Sequence, residues 1–135
     1  MENKIYSLPL SEFGFVKLWS SLTIEYNDNN VIDRQELEKK LFDYYTDDKY
    51  FTLFNDITFI NTNDHDGCAD LYHGFTMSCI LGIISEKDQN NPTKYSINLD
   101  LDTANQIISS YEQDIIIPMI NLYEEIRQDT KTKTR

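Results

Sequence analysis

Apolar residues along this chain recur mostly at spacings of three and four. Phe13, Val16, Trp19, Leu22 and Tyr26 form one such stripe, which predicts a helix over 12–26 with Ser11 as its N-cap. The run Asn27-Asp28-Asn29-Asn30 ends it, because Asn and Asp favour turns by bonding to local backbone. A second start follows at Asp33, with Glu36 three residues on in a near capping box. Leu37, Leu41, Tyr44 and Tyr45 give that helix its inward face, and Thr46-Asp47-Asp48 closes it. Residues 49–55 predict a third, short helix. The β-branched and aromatic run 57–60 predicts a strand.

Beyond the polar turn 61–67, the spacing Cys68, Tyr72, Phe75, Cys79, Ile83 predicts another helix. Its flanks, Leu71, Ile80, Leu81 and Ile84, are apolar too, so it should be buried on most sides. Residues 85–93 read as a surface loop. Tyr95, Ile97, Leu99 and Leu101 then alternate with Ser96, Asn98 and Asp100, the signature of a half-buried strand. Thr103 and Gln106 are spaced as a capping box for the last helix, whose seam runs Ala104, Ile108, Tyr111, Ile115, Met119, Leu122, Ile126. Pro118 interrupts that seam and predicts a kink.

These elements add up to a mainly α (α+β) fold. It has five or six helices around a buried helix near 68–84. A small two-strand sheet comes from about 57–60 and 95–101, and a long kinked C-terminal helix follows. No linker or repeat divides the chain, so residues 1–128 form one domain and 129–135 a frayed basic tail. Seven Phe, nine Tyr and one Trp in 135 residues supply a core that a disordered acidic chain would lack.

Charge is the most unusual bulk property of the chain. The net charge is −11. Arg127, Lys131, Lys133 and Arg135 against Asp129 give the last nine residues +3, so residues 1–126 carry −14. Such a surface repels phosphates and anionic lipid and draws in basic partners. No apolar run reaches the roughly 18 residues of a membrane span, and the N-terminus lacks the apolar core of a secretory signal. If 68–84 is helical, Cys68 and Cys79 lie about 16 Å apart along its axis, beyond the roughly 7 Å a disulfide allows. Reduced thiols and a cytoplasmic location are the expectation.

Candidate chemistry is thin. Asn63-Asp64-His65-Asp66-Gly67, with Asp70 and His73, offers carboxylates and imidazoles for a divalent metal. The EF-hand pattern fails, because Gly67 at loop position six puts Thr62 at one and His73 at twelve. There is no nucleophile elbow, no phosphate-binding glycine loop and no zinc motif. Cys68 at a helix start beside His65 and His73 is the remaining nucleophile reading. The Asp47-Asp48 and Glu124-Glu125 pairs read as solvated faces. No catalytic residue, cofactor or metal is therefore assigned.

The leading expectation is a non-catalytic acidic protein-interaction module: a toxin-neutralising or immunity protein, or an inhibitor of a basic or nucleic-acid-binding partner. Asp43, Asp47, Asp48, Asp64, Asp66 and Asp70 would stand in for phosphates against Lys and Arg of that partner. The order of three helices and a small sheet is similar to a winged helix-turn-helix, which makes a transcriptional regulator the alternative. Direct nucleic-acid binding is disfavoured, since the would-be recognition segment offers Lys49 alone beside Asp47, Asp48 and Asp56. A basic face would have to come from Lys17, Arg34, Lys39 and Lys40. A small enzyme or metal protein centred on 64–73 is a further alternative. The seam 104–126 is a candidate surface for a homodimer.

Overall fold

The Ser11 hydroxyl accepts the Gly14 N–H at 2.9 Å and opens α1, Glu12–Glu25. The computed structural model describes residues 10–60, 68–88 and 90–133. Five α-helices, one 3-10 helix and five short strands form an α+β fold there. Helix α1 is followed by β1 (Val31–Asp33), α2 (Arg34–Phe42), the 3-10 helix Asp48–Leu53 and β2 (Thr58–Ile60). Then come β3 (Cys68–Asp70), α3 (Tyr72–Ile80), β4 (Ile84–Asp88), β5 (Asn91–Ile97), α4 (Leu101–Ser109) and α5 (Gln113–Lys133).

The central helix is α1, not the expected one near 68–84. It packs against α3, α4 and α5, and its residues 14–16 and 18–23 are all buried. Two of its three buried polar side chains bond back along the helix. Ser21 Oγ donates to the Lys17 carbonyl at 2.8 Å and Thr23 Oγ1 to that of Trp19 at 2.9 Å. Phe15 stacks on Trp19, which leans on Tyr123 of α5 at 4.7 Å between centroids. Residues 68–84 split instead into β3, α3 and the start of β4. Helix α3 buries Gly74, Phe75 and Ser78 but leaves Tyr72, Ile80 and Leu81 exposed. Gly74 lies where a Cβ would sit 2.6 Å from the Glu12 carbonyl oxygen, so the two helices meet at backbone distance.

Both Schellman turns are spelled by residues that tolerate positive φ. After α1, Asn27 (φ 58°) donates to Ile24 O and Asp28 to Thr23 O. After α3, Gly82 (φ 79°) donates to Cys79 O and Ile83 to Ser78 O. Asn29 and Asn30 also hold positive φ, which turns the chain sharply into β1.

The sheet differs from expectation. Residues 57–60 and the later strand do not pair. β2 pairs antiparallel with β3, whereas β1, β5 and β4 form a separate antiparallel sheet in that order. The stretch 85–93, expected as a loop, supplies β4 and the hairpin to β5. Its solvent face is polar throughout (burial falls on Ile84 alone), so alternation gave no signal. The strand expected at 95–101 ends at Ile97.

The C-terminal seam is two helices rather than one kinked one. The break falls at Ser110–Glu112, and Pro118 sits inside α5. Asp100, not Thr103, caps α4 by accepting the Thr103 N–H at 2.7 Å, and that bond lowers its carboxyl pKa. Ala104, Ile115, Met119, Leu122 and Ile126 are buried in the chain's own core. Helix α5 continues through Lys133, past the point where fraying was expected. Helix α2 ends at Phe42, so Tyr44 and Tyr45 lie beyond it, and Tyr45 is exposed.

Candidate functional site

A ladder of aromatic rings climbs from the core to the surface at one side of the molecule. Phe15 is fully buried and faces Phe54 at 6.2 Å; Phe54 meets Phe59 edge-on at 5.2 Å. Phe59 of β2 then stacks on Tyr45 at 4.5 Å with their planes 14° apart, and Phe42 at the end of α2 touches both. Tyr45 is 40% exposed, and Phe51 on the 3-10 helix is 65% exposed. Tyr45, open to solvent at the end of the packed stack, is fixed in place without being hidden.

Carboxylates punctuate the same segment. Asp43, Asp48 and Asp56 are exposed. Asp47 is half-buried and caps the 3-10 helix, accepting the Lys49 N–H at 3.2 Å. Lys49, the one cation here, lies 3.9 Å from Asp47 and is held more closely by Glu125, whose carboxylate is 3.0 Å from its ammonium. That contact raises the lysine pKa, chiefly through the hydrogen bond.

Of the six acidic residues expected to bind a partner, the structure gathers Asp43, Asp47 and Asp48 on this segment. Asp70 is exposed at the end of β3, opposite Thr58 of β2, and accepts the Tyr72 N–H at 3.2 Å. Its charge is felt by Glu12 and Glu38. Asp64 and Asp66 lie outside the described residues, as do His65 and the side chain of Cys68. Within the metal reading this leaves Asp70 and His73, both exposed. Among the described residues no group of three His, Cys, Asp or Glu is placed to hold an ion. Burial raises the Cys79 thiol pKa, away from the thiolate a nucleophile needs.

The basic face required of a nucleic-acid reader is mostly engaged internally. Lys17 lies over the rings of Phe13 and Tyr111, Arg34 bonds Glu38 and covers Tyr72, and Lys40 pairs with Glu36 at 3.8 Å. Lys39 is exposed.

Two features escaped sequence reasoning. One is Glu38, which is 6% exposed and serves a neighbour's backbone: its Oε2 accepts the Leu71 N–H at 2.7 Å just before α3. Burial pushes its pKa up, opposed by that N–H and by Arg34. The other is a set of tyrosine–carboxylate bonds along α5. Tyr26 donates to Glu124 at 2.6 Å, Tyr44 to Asp129, Tyr50 to Glu125, and Tyr123 to Asp28 at 2.7 Å. Arg127 closes the last site with two bonds to Asp28, at 2.9 and 3.1 Å, while lying over Tyr26. Glu124 and Glu125, expected as a merely solvated pair, thus each receive a hydroxyl. A period-based reading treats tyrosine as apolar, so nothing in the spacing marks these bonds.

No helix among the described residues is long and apolar enough to cross a membrane. No family model, no curated protein and no solved structure matches the chain.

Proposed function

We propose that this chain is a non-catalytic interaction module that binds a basic protein, with residues 42–59 as its principal contact surface. The observation that carries the reading is the pairing, on one segment, of solvent-open aromatic rings with exposed carboxylates. Aromatic anchors dominate the energetics of protein interfaces, and a ring face beside a carboxylate suits a guanidinium or ammonium better than any other protein group. Asp43 and Asp48 would supply the complementary potential that speeds encounter, while Tyr45 and Phe51 would supply the buried contact that slows release. Neutralising a toxin, conferring immunity, or occupying the groove of a nucleic-acid-binding protein all need this combination. The reading sets the protein in the cytoplasm.

The test is capture of partners by the tagged chain from its own cell extract, washed at low and high salt. A basic protein should be retained at low salt and released as salt rises. The double variant Tyr45→Ala, Phe51→Ala should lose it at any salt, with a lowered melting temperature from the broken Tyr45–Phe59 stack but an unchanged circular dichroism spectrum at the temperature of capture. Retention by the double variant, or capture that ignores salt, would overturn the assignment of this surface.

A further inference from the structure

Away from the aromatic ladder, a groove of about 570 Å³ opens between the C-terminal end of α1, β1, α2 and α5. Trp19, Leu37, Tyr123 and Ile126 line it with apolar surface. Three consecutive residues of β1, Val31, Ile32 and Asp33, line it too, so the groove runs along that strand.

Among the described residues β1 is an edge strand, paired on one side with β5. The Ile97 N–H donates to the Asn30 carbonyl at 2.9 Å, and Ile32 stands opposite Tyr95. Hydrogen-bonded pairs alternate along an antiparallel ladder, so Asn30 and Ile32 turn their backbone groups toward β5. Val31 and Asp33 turn theirs the other way. The Asp33 carbonyl begins the ladder of α2. The N–H and C=O of Val31 and the N–H of Asp33 have no partner among the described residues. Three backbone groups at a strand edge, beside a groove of mixed polar and apolar lining, are the recognition elements for an extended peptide.

Charge narrows the occupant. Asp28, Asp33 and Glu36 line the groove with Arg127 and Lys40. Asp28 holds Arg127, and Glu36 lies 3.8 Å from Lys40, which leaves the carboxylates one ahead. The chain as a whole carries −11. We propose that this groove takes an extended, basic segment of a protein partner as an added strand beside β1, a reading that rests on the partner's being a basic protein. Alternate residues of that segment place apolar side chains against Trp19, Leu37 and Ile126. The residues between them carry cations out to Asp33, the carboxylate left over.

A capped hexapeptide of alternating lysine and valine serves as the probe, beside a twin N-methylated at every second residue. N-methylation removes backbone donors and keeps the side chains and charge. In the free full-length chain the Val31 and Asp33 amides should exchange with solvent faster than that of Ile32. Saturating peptide should slow both, and the twin should bind about tenfold more weakly, the equivalent of one to two backbone hydrogen bonds, at low and raised salt alike. Equal binding of the two peptides, or shifts confined to Tyr45 and Phe51, would overturn the groove assignment while leaving the acidic interaction module standing. Amides of Val31 and Asp33 already protected in the free chain would overturn it as well. Peptide binding as expected, with no basic protein captured from extract, would sink the proposed function and leave the groove.

Discussion

Tyr123 is 5% exposed, yet its hydroxyl reaches both Asp28 at 2.7 Å and Thr23 at 3.3 Å. The ring contributes area against Trp19, and the hydroxyl anchors the turn after α1. Burial and the Asp28 carboxylate both push its pKa up. Tyr123→Phe keeps the packing and removes only the bonds. Asp28 retains Arg127, so it is not orphaned, and the cost should be about 1–1.5 kcal/mol in urea unfolding with an unchanged denaturant slope. A loss near zero would mean that water replaces the hydroxyl at no cost. Glu38 shows the opposite arrangement: a carboxylate kept 6% exposed because a backbone N–H and a guanidinium both need it.

Among the elements, α1 and α3 cross at backbone distance. A Cβ at Gly74 would stand 2.6 Å from the Glu12 carbonyl oxygen, which is backbone and cannot rotate aside. Gly74→Ala should therefore cost about 1–3 kcal/mol by forcing the helices apart, measurable as a lowered melting temperature. Helix ends with side-chain caps were legible in the sequence, as at Ser11 and Asp33, because a cap is a local bond between residues three apart. Helix α3 was misjudged because its start is capped from elsewhere: Glu12 accepts the Gly74 N–H at 3.2 Å from sixty-two residues away. The burial of α1 was hidden by Ser20, Ser21 and Thr23, which read as a polar face yet are buried, two of them bonded to their own helix. Strand pairing was illegible for a related reason. Alternation marks a strand but not its neighbour, and β4, with one buried residue in five, did not alternate at all. Of the candidate surface, the acids at 43, 47 and 48 were legible, whereas the exposure of Tyr45 depended on where α2 stops.

For the whole molecule, pH dependence follows from groups that the fold pushes in one direction. Burial raises Glu12 and Glu38 above the ordinary glutamate value of 4.5. The folded state therefore favours their protonated forms. Their contribution is fully present below that value and falls away as pH rises through the raised folded ones. Lower pH also relieves the self-repulsion of a chain at −11. Asp100 works the other way: its stabilisation holds above its ordinary 3.8 and is lost only below that. Melting temperature should accordingly be higher at about pH 5 than at about pH 8. At the alkaline end, burial and Glu124 raise Tyr26 to about 12, so its contribution is present below the ordinary 10.0 and disappears between the two. Tyrosinate absorbance and circular dichroism followed together through that window should change as one transition. A melting temperature that rises steadily from acid to neutral would contradict this account.

The bonds from Tyr123 and Arg127 to Asp28 span 95 and 99 residues of a 135-residue chain. During synthesis, the turn after α1 therefore emerges long before the residues that secure it, and Trp19 waits equally long for Tyr123 to cover it. The N-terminal half leaves the ribosome with its most apolar helix uncovered. Closure of the core waits for α5, and a chain cut short before α5 would be a substrate for chaperones and proteases rather than a smaller version of this protein.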